Sequence, residues 1–243
     1  MGSDSFSLSF SWGDRDATPA EIGERLLRSV EALQGIHPLL ESWWFTDLVA
    51  QEYVPIAEAR PRISSLIEQG VTLDDFDEPS PREGYAFLIK NSTESTSETV
   101  DLRVRDNGHW GRKFFGNSGV FSTEYQRIPA PALIAYPVFK SVMMAMARIW
   151  GATSAEAIGG DIGELRRKTD RMFAPAWMTY LAPPLLSRIT PPSGVLCEPT
   201  PDGGLLMIAT EETFDPANPD HMAAAWAISD ALVSLTRKDL LFS

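Results

Sequence analysis

One cysteine, Cys197, leaves no partner for an intramolecular disulfide, which fits a chain kept in a reducing compartment. Long apolar runs are missing as well. None reaches the ~20 residues that a bilayer-crossing helix needs, and the best candidate, 130–147, is broken by Pro131, Pro137 and Lys140. It reads as a buried amphipathic helix. The opening Met1-Gly2-Ser3-Asp4-Ser5-Phe6 has neither the basic lead nor the apolar core of an export signal. A cytoplasmic location without membrane association is therefore expected.

Groups that make or break bonds are scarce too. There are three histidines. His37 precedes Pro38 among aromatics, as a packed or capping residue would. His109 follows the turn pair Asn107-Gly108, where an exposed polar residue is expected. His221, with Asp215 and Asp220 close by in sequence, has the ligand types of a metal site. It equally fits the first turn of a helix whose dipole Asp220 complements. Cys197 is followed by Glu198 and Pro199, an acidic setting that raises a thiol pKa and blunts the nucleophile. Gly159, Gly160 and Gly163 lack the following Lys-Ser/Thr of a phosphate loop. The basic cluster Arg166, Arg167, Lys168 and Arg171 is small against a net charge of −12, so nucleic acid is not an expected partner. No catalytic residues and no cofactor are expected.

What the chain does have is concentrated negative charge. The segment 68–83 carries Glu68, Asp74, Asp75, Asp77, Glu78 and Glu83 against Arg82 alone. The segment 198–220 carries Glu198, Asp202, Glu211, Glu212, Asp215 and Asp220 with no Lys or Arg. Acidic loops of this kind keep a protein soluble, and they also steer a basic protein partner over distances near the Debye length. An apolar anchor sits inside each: Phe76 in the first, Phe214 in the second. Partner contacts are accordingly expected from Asp74, Asp75, Phe76, Asp77 and Glu78, or from Glu211, Glu212, Phe214 and Asp215.

Hydrophobic residues make up 44% of the chain, with seven Trp and twelve Phe, enough for a substantial core. Phe6, Leu8, Phe10 and Trp12 alternate with serines, the period of a strand. Thr18-Pro19-Ala20-Glu21 is a capping-box helix start, and Ile22, Leu26, Val30 and Leu33 continue it to Gly35. A short helix or turn is expected over 37–45, a short helix over 62–69, and an antiparallel meander over 84–126. The meander includes strands at 85–90, 100–105, 110–115 and 119–125. A helix over 136–150, strands at 154–158, 177–181, 194–198 and 204–210, and a last helix from Asn218 to about Leu235 complete the pattern. That order favours an α+β fold, antiparallel sheet packed with several α-helices, in one domain spanning 1–243.

Several segments resemble the immunity protein 52 family. They are the Trp-containing first strand, His37-Pro38-Leu39-Leu40 with Trp43-Trp44 after it, and Glu83-Gly84-Tyr85-Ala86-Phe87. The second half adds Pro175-Ala176-Trp177-Met178-Thr179-Tyr180-Leu181, Gly203-Gly204-Leu205-Leu206, Thr210-Glu211-Glu212-Thr213-Phe214 and Asn218-Pro219-Asp220-His221. Where family members often carry Pro-Asp after the middle helix, this chain has Gly151-Ala152, so that loop is not carried over. The resemblance implies a cytoplasmic immunity protein that binds and neutralises a cognate secreted antibacterial toxin, often one delivered by type VI secretion. It also implies a toxin resembling restriction-endonuclease-type nucleases, whose basic groove an acidic surface would fill. Three other readings stay open: inhibition away from the toxin's active site, a metal-dependent hydrolase built on Asp215, Asp220 and His221, and a structural component of a secretion system.

Overall fold

The alternating segment Phe6–Trp12 forms β1, and β1 lies inside a ten-stranded sheet rather than at its edge. The structure, a computed structural model, describes residues 5–107, 117–159 and 171–241. The other strands of the sheet are β2 (Trp44–Asp47), β3 (Glu52–Pro55), β4 (Tyr85–Lys90), β5 (Asp101–Asp106), β6 (Asn117–Ser122), β9 (Ser154–Gly159), β10 (Met178–Leu181), β11 (Leu196–Pro199) and β12 (Leu205–Ile208). Their order is β11-β12-β10-β9-β1-β6-β5-β4-β2-β3, and each pairing is antiparallel. A separate ribbon pairs β7 (Glu124–Tyr125) with β8 (Ile128–Pro129). The expected α+β class is what forms.

The period of two in β1 sorts the sheet into two faces. Phe6, Leu8, Phe10 and Trp12 point to one, in register with Phe121 of β6 and thence Leu102 and Ile89. Helices α1 (Pro19–Gln34), α3 (Ile63–Glu68) and α4 (Tyr136–Trp150) cover this face. Phe139 of α4 meets Phe6 and Phe121 edge-on, and Trp150 stacks on Trp12 at 5.2 Å. Burying each such side chain stabilises the fold by about 1.5–3 kcal/mol. Gly119 of β6 is required here. A Cβ on it would sit 2.0 Å from the Phe10 ring, so no other residue leaves room for that ring.

On the C-terminal half the helices change sides. Leu181 of β10 and Met207 of β12 point to the opposite face, where α5 (Pro183–Leu186) and α6 (Pro219–Ala231) cover them. Ile228 and Leu232 fill this second cluster. A four-residue α2 (Ile56–Ala59) and the terminal α7 (Arg237–Leu241) complete the helices of the described residues. The helix α7 lies against β1, and over β2 to β5 this second face holds no helix among the described residues; the candidate site lies there.

Local expectations hold where pattern and cap agree. Thr18 and Glu21 close a capping box at α1, and Gly151 ends α4 in the left-handed conformation. The 37–45 segment differs: a single 3-10 turn at Pro38–Leu40 is followed by β2 and then by β3. Trp43 is the residue that turns inward, its Nε1 donating to the Leu40 carbonyl at 2.8 Å. The last helix stops at Ala231, short of Leu235, and α7 follows after turns. The strand expected at 110–115, Gly108 of the turn pair, and His109 lie outside the described residues. So do Gly160, Gly163, Arg166, Arg167 and Lys168.

Candidate interaction site

The first acidic segment leaves the sheet as a narrow ribbon at the start of β4. Gly70 packs so closely on β4 that a Cβ there would lie 2.1 Å from the Ala86 carbonyl. Beyond it Thr72 N–H donates to Gly84 at 2.8 Å, Ser80 N–H donates to Thr72 at 2.9 Å, and Leu73 bridges Pro79. At the tip, Asp74 organises the turn. Its Oδ1 accepts from the N–H groups of Phe76 (2.8 Å) and Glu78 (3.1 Å), while its own N–H donates to the Glu78 carbonyl at 2.9 Å. Asp77 takes the left-handed conformation, φ 61°, which an Asp tolerates better than most side chains. The product is a short, pre-organised turn whose apex is Phe76, 85% exposed.

The β2–β3 hairpin tip stands beside this ribbon. Gln69, just past α3, accepts from the N–H groups of Leu48 (3.0 Å) and Val49 (3.2 Å). Asp47 holds the same tip from below, accepting from Val49 and Ala50 and pairing with Arg62 at 3.0 Å. The Ala50 N–H, with Arg62 and Val49 behind it, keeps the Asp47 carboxyl below the usual range. Among the described residues the exposed large apolar side chains are Leu48, Val49, Tyr53, Leu73, Phe76, Leu196 and Val233. The first five belong to this one corner. A lone exposed leucine needs no explanation, but a cluster rimmed by charge marks an interaction surface.

Between the hairpin and the rest of the sheet the uncovered face forms a hollow of about 520 Å³. Ala86, Leu88 and Val120 make its floor, and Tyr53 and Tyr125 stand in its wall. Lys90 Nζ lies 3.5 Å from the Tyr53 ring centroid and donates to the Thr93 carbonyl at 3.0 Å. The neighbouring Tyr125 hydroxyl and then the Lys90 ammonium hold the Tyr53 pKa below the usual tyrosine value. Arg105 ties the hollow to the acidic ribbon through Thr72 Oγ1 at 3.3 Å and the Glu83 carbonyl at 3.4 Å.

The second acidic segment is built differently and elsewhere. Glu198 pairs with Lys140 at 2.6 Å, and Asp202 accepts from Tyr180 Oη at 2.6 Å and from Thr200 within its own hairpin. Asp215 Oδ1 accepts from Ala217 N–H at 2.9 Å. Phe214 corrects the expectation of an apolar anchor: it is 2% exposed, stacked on His221 in the core. Glu211 and Glu212 are exposed. This loop follows the Ile208 end of β12, which the register aligns with the Ile89 end of β4, whereas the Phe76 ribbon leaves from the Tyr85 end. The two acidic tips thus stand at opposite ends of the strands and six strand spacings apart, roughly 29 Å along a flat sheet. The fold does not bring them together.

The two described histidines do structural work. His37 Nδ1 accepts from Leu39 N–H at 3.2 Å, the capping role expected of it. His221 Nδ1 accepts from Asp215 N–H at 3.1 Å, so that nitrogen is engaged, and Asp220 N–H turns to its cap, Asn218. Among the described residues no group of three or more His, Cys, Asp and Glu side chains is placed to hold a metal ion. The Cys197 thiol is pushed up by burial rather than by neighbouring carboxylates. Arg171, the described member of the basic cluster, pairs with Asp230 and lies over the Trp226 ring. None of the described helices is long and apolar enough to cross a membrane.

A family model described as Immunity protein 52 matches residues 4–240. Among solved structures, a T6SS protein of Pseudomonas aeruginosa is similar at a TM-score of 0.50 and 13% identity, over 98% of this chain and 73% of that one. At that identity the similarity speaks for the fold. No curated protein matches the chain.

Proposed function

The chain belongs to the immunity protein 52 family, and from that premise we propose that it binds a cognate antibacterial toxin in the producing cell's cytoplasm and silences it without chemistry of its own. Type VI secretion as the delivery route is supported by the likeness to the T6SS protein of Pseudomonas aeruginosa. The toxin is a nuclease whose basic DNA groove is the surface covered. A nuclease gripping phosphates needs such a groove, and clustered carboxylates fill it while repelling the host's own nucleic acid.

The observation that carries this reading is the Asp74–Glu78 turn. Binding hot spots are aromatic side chains that lose all their water on contact. Phe76 is the most exposed large apolar side chain among the described residues, and the turn that presents it is held by two backbone N–H groups on Asp74 Oδ1 and two backbone–backbone hydrogen bonds between 74 and 78. Pre-organisation lowers the entropy lost on binding. Asp75, Asp77 and Glu78 surround it with negative charge. The 211–215 loop has its carboxylates but no exposed aromatic, so the first acidic segment is the toxin-binding one.

The test is reversal of Asp74, Asp75 and Asp77 to Lys. Association with the toxin encoded beside this chain should slow by about tenfold or more at low salt, with a weaker dependence on ionic strength. Protection of toxin-expressing cells should fail in parallel. Undiminished binding and protection by the reversed variant would reject this surface. Binding that persists while the toxin keeps full access to DNA would place inhibition away from its active site.

A further inference from the structure

The uncovered half-face carries arginines in an acidic chain. Register puts Lys90, Asp101, Arg103 and Arg105 on it; Lys90 and Asp101 are buried, so the two arginines supply its accessible charge, in a protein of net charge −12. Asp101 is wholly buried and engages Arg103 through Oδ2 at 2.7 Å. That pair offsets part of the Arg103 charge. The Arg103 side chain stays 57% exposed, and a guanidinium has five N–H donors of which that pair uses one or two. Across the apolar floor, Thr46 Oγ1 is buried in the wall without a hydrogen-bond partner. The hollow, about 520 Å³, falls within the range of pockets that enclose a small guest.

Resting on the immunity reading, we infer that this hollow receives a segment of the same toxin that carries a carboxylate next to an apolar side chain. The apolar group covers Ala86, Leu88 and Val120, and the carboxylate meets Arg103. Charge complementarity selects this guest over a basic one: the acidic turn and the arginine hollow are neighbours, joined through Arg105 and Thr72. A nucleic-acid hydrolase has the matching pattern, carboxylates that serve a metal ion set within a basic groove. The bipolar match also fixes one docking register, since rotating the partner would oppose like charges.

The experiment uses the full chain with Cys197→Ala and Ser118→Cys, labelled with a maleimide benzophenone at the hollow's floor. It is irradiated with the purified toxin of the adjacent reading frame, and the adduct is mapped by mass spectrometry. Arg103→Gln and Leu88→Glu variants are titrated in parallel, with circular dichroism to confirm that they fold. The expected result is an adduct on a toxin peptide containing Asp or Glu, and dissociation about tenfold faster or more for both variants. An adduct on a peptide without a carboxylate, or unchanged affinity in folded variants, overturns the inference while the toxin-binding function stands. Failure of the unmodified chain to bind any locus-encoded toxin overturns the function, and this inference with it.

Discussion

At the residue scale, Phe76 and Phe214 are the same side chain in similar acidic company, yet one is 85% exposed and the other 2%. Phe76→Ala should leave thermal stability unchanged, because nothing in the fold rests on that ring, while weakening toxin binding by about 2 kcal/mol or more. Calorimetric titration alongside thermal melts separates the two effects. A loss of stability would show that the turn belongs to the core. Asp101 gives a second, pH-dependent expectation. Burial holds its carboxyl above the ordinary carboxylate value, and Arg103 only partly offsets this. With the folded pKa raised, the ionised group destabilises the native state at neutral pH. That penalty fades as pH falls through the raised folded value and is gone below the unfolded one. Asp101→Asn should therefore be more favourable relative to the parent at pH 7 than at pH 4. Denaturant unfolding at both values checks it, and an advantage that grows on acidification refutes it.

At the element scale, the Asp74–Glu78 turn depends on a side chain for its shape. Asp74 Oδ1 is taken up by two backbone N–H groups, so this aspartate shapes the turn, and in the proposed binding mode partner contact falls to Asp75, Asp77 and Glu78. Asp74→Asn keeps the acceptor and loses the charge, whereas Asp74→Ala loses both. The alanine variant should bind toxin less well than the asparagine variant, by about 1 kcal/mol, and amide exchange at Phe76 and Glu78 should quicken in it alone. Equal behaviour of the two would mean that charge, and not the turn, is what Asp74 supplies. The helix α1 shows the same logic where every local signal agrees, with Thr18 and Glu21 each accepting from the other's backbone N–H.

For the whole molecule, β1 is the seam. It pairs with β6 on one side and β9 on the other, and α4 packs across β1, β9 and β10. The two hydrophobic clusters on opposite faces share the strands β10 and β12. We propose that residues 1–243 form one domain, which predicts a single calorimetric transition whose van't Hoff and calorimetric enthalpies agree. Two resolved transitions would divide the chain between β6 and β9. The placement of the acidic segments at opposite ends of the sheet also belongs to this scale. A toxin surface seated on the Phe76 corner, as proposed, would have to span that distance to reach Glu211 and Glu212.

The sequence by itself determined the elements whose signals are local: the alternation of β1, the capping box of α1, the left-handed Gly151 after α4, and the Asn218-Pro219 start of α6. It also marked both acidic segments and the low supply of catalytic groups. The short β2 and β3 escaped it, because four residues carry too little periodicity and their pairing lies with β4, far along the chain. Only the tertiary structure decided which Phe is a core residue, which face of the sheet the described helices leave uncovered, and that Arg103 and Arg105 gather over an apolar floor in an acidic protein. Those outcomes depend on register and on which helix covers which face. Both are settled by contacts between distant residues, which a period of two or of 3.6 does not encode.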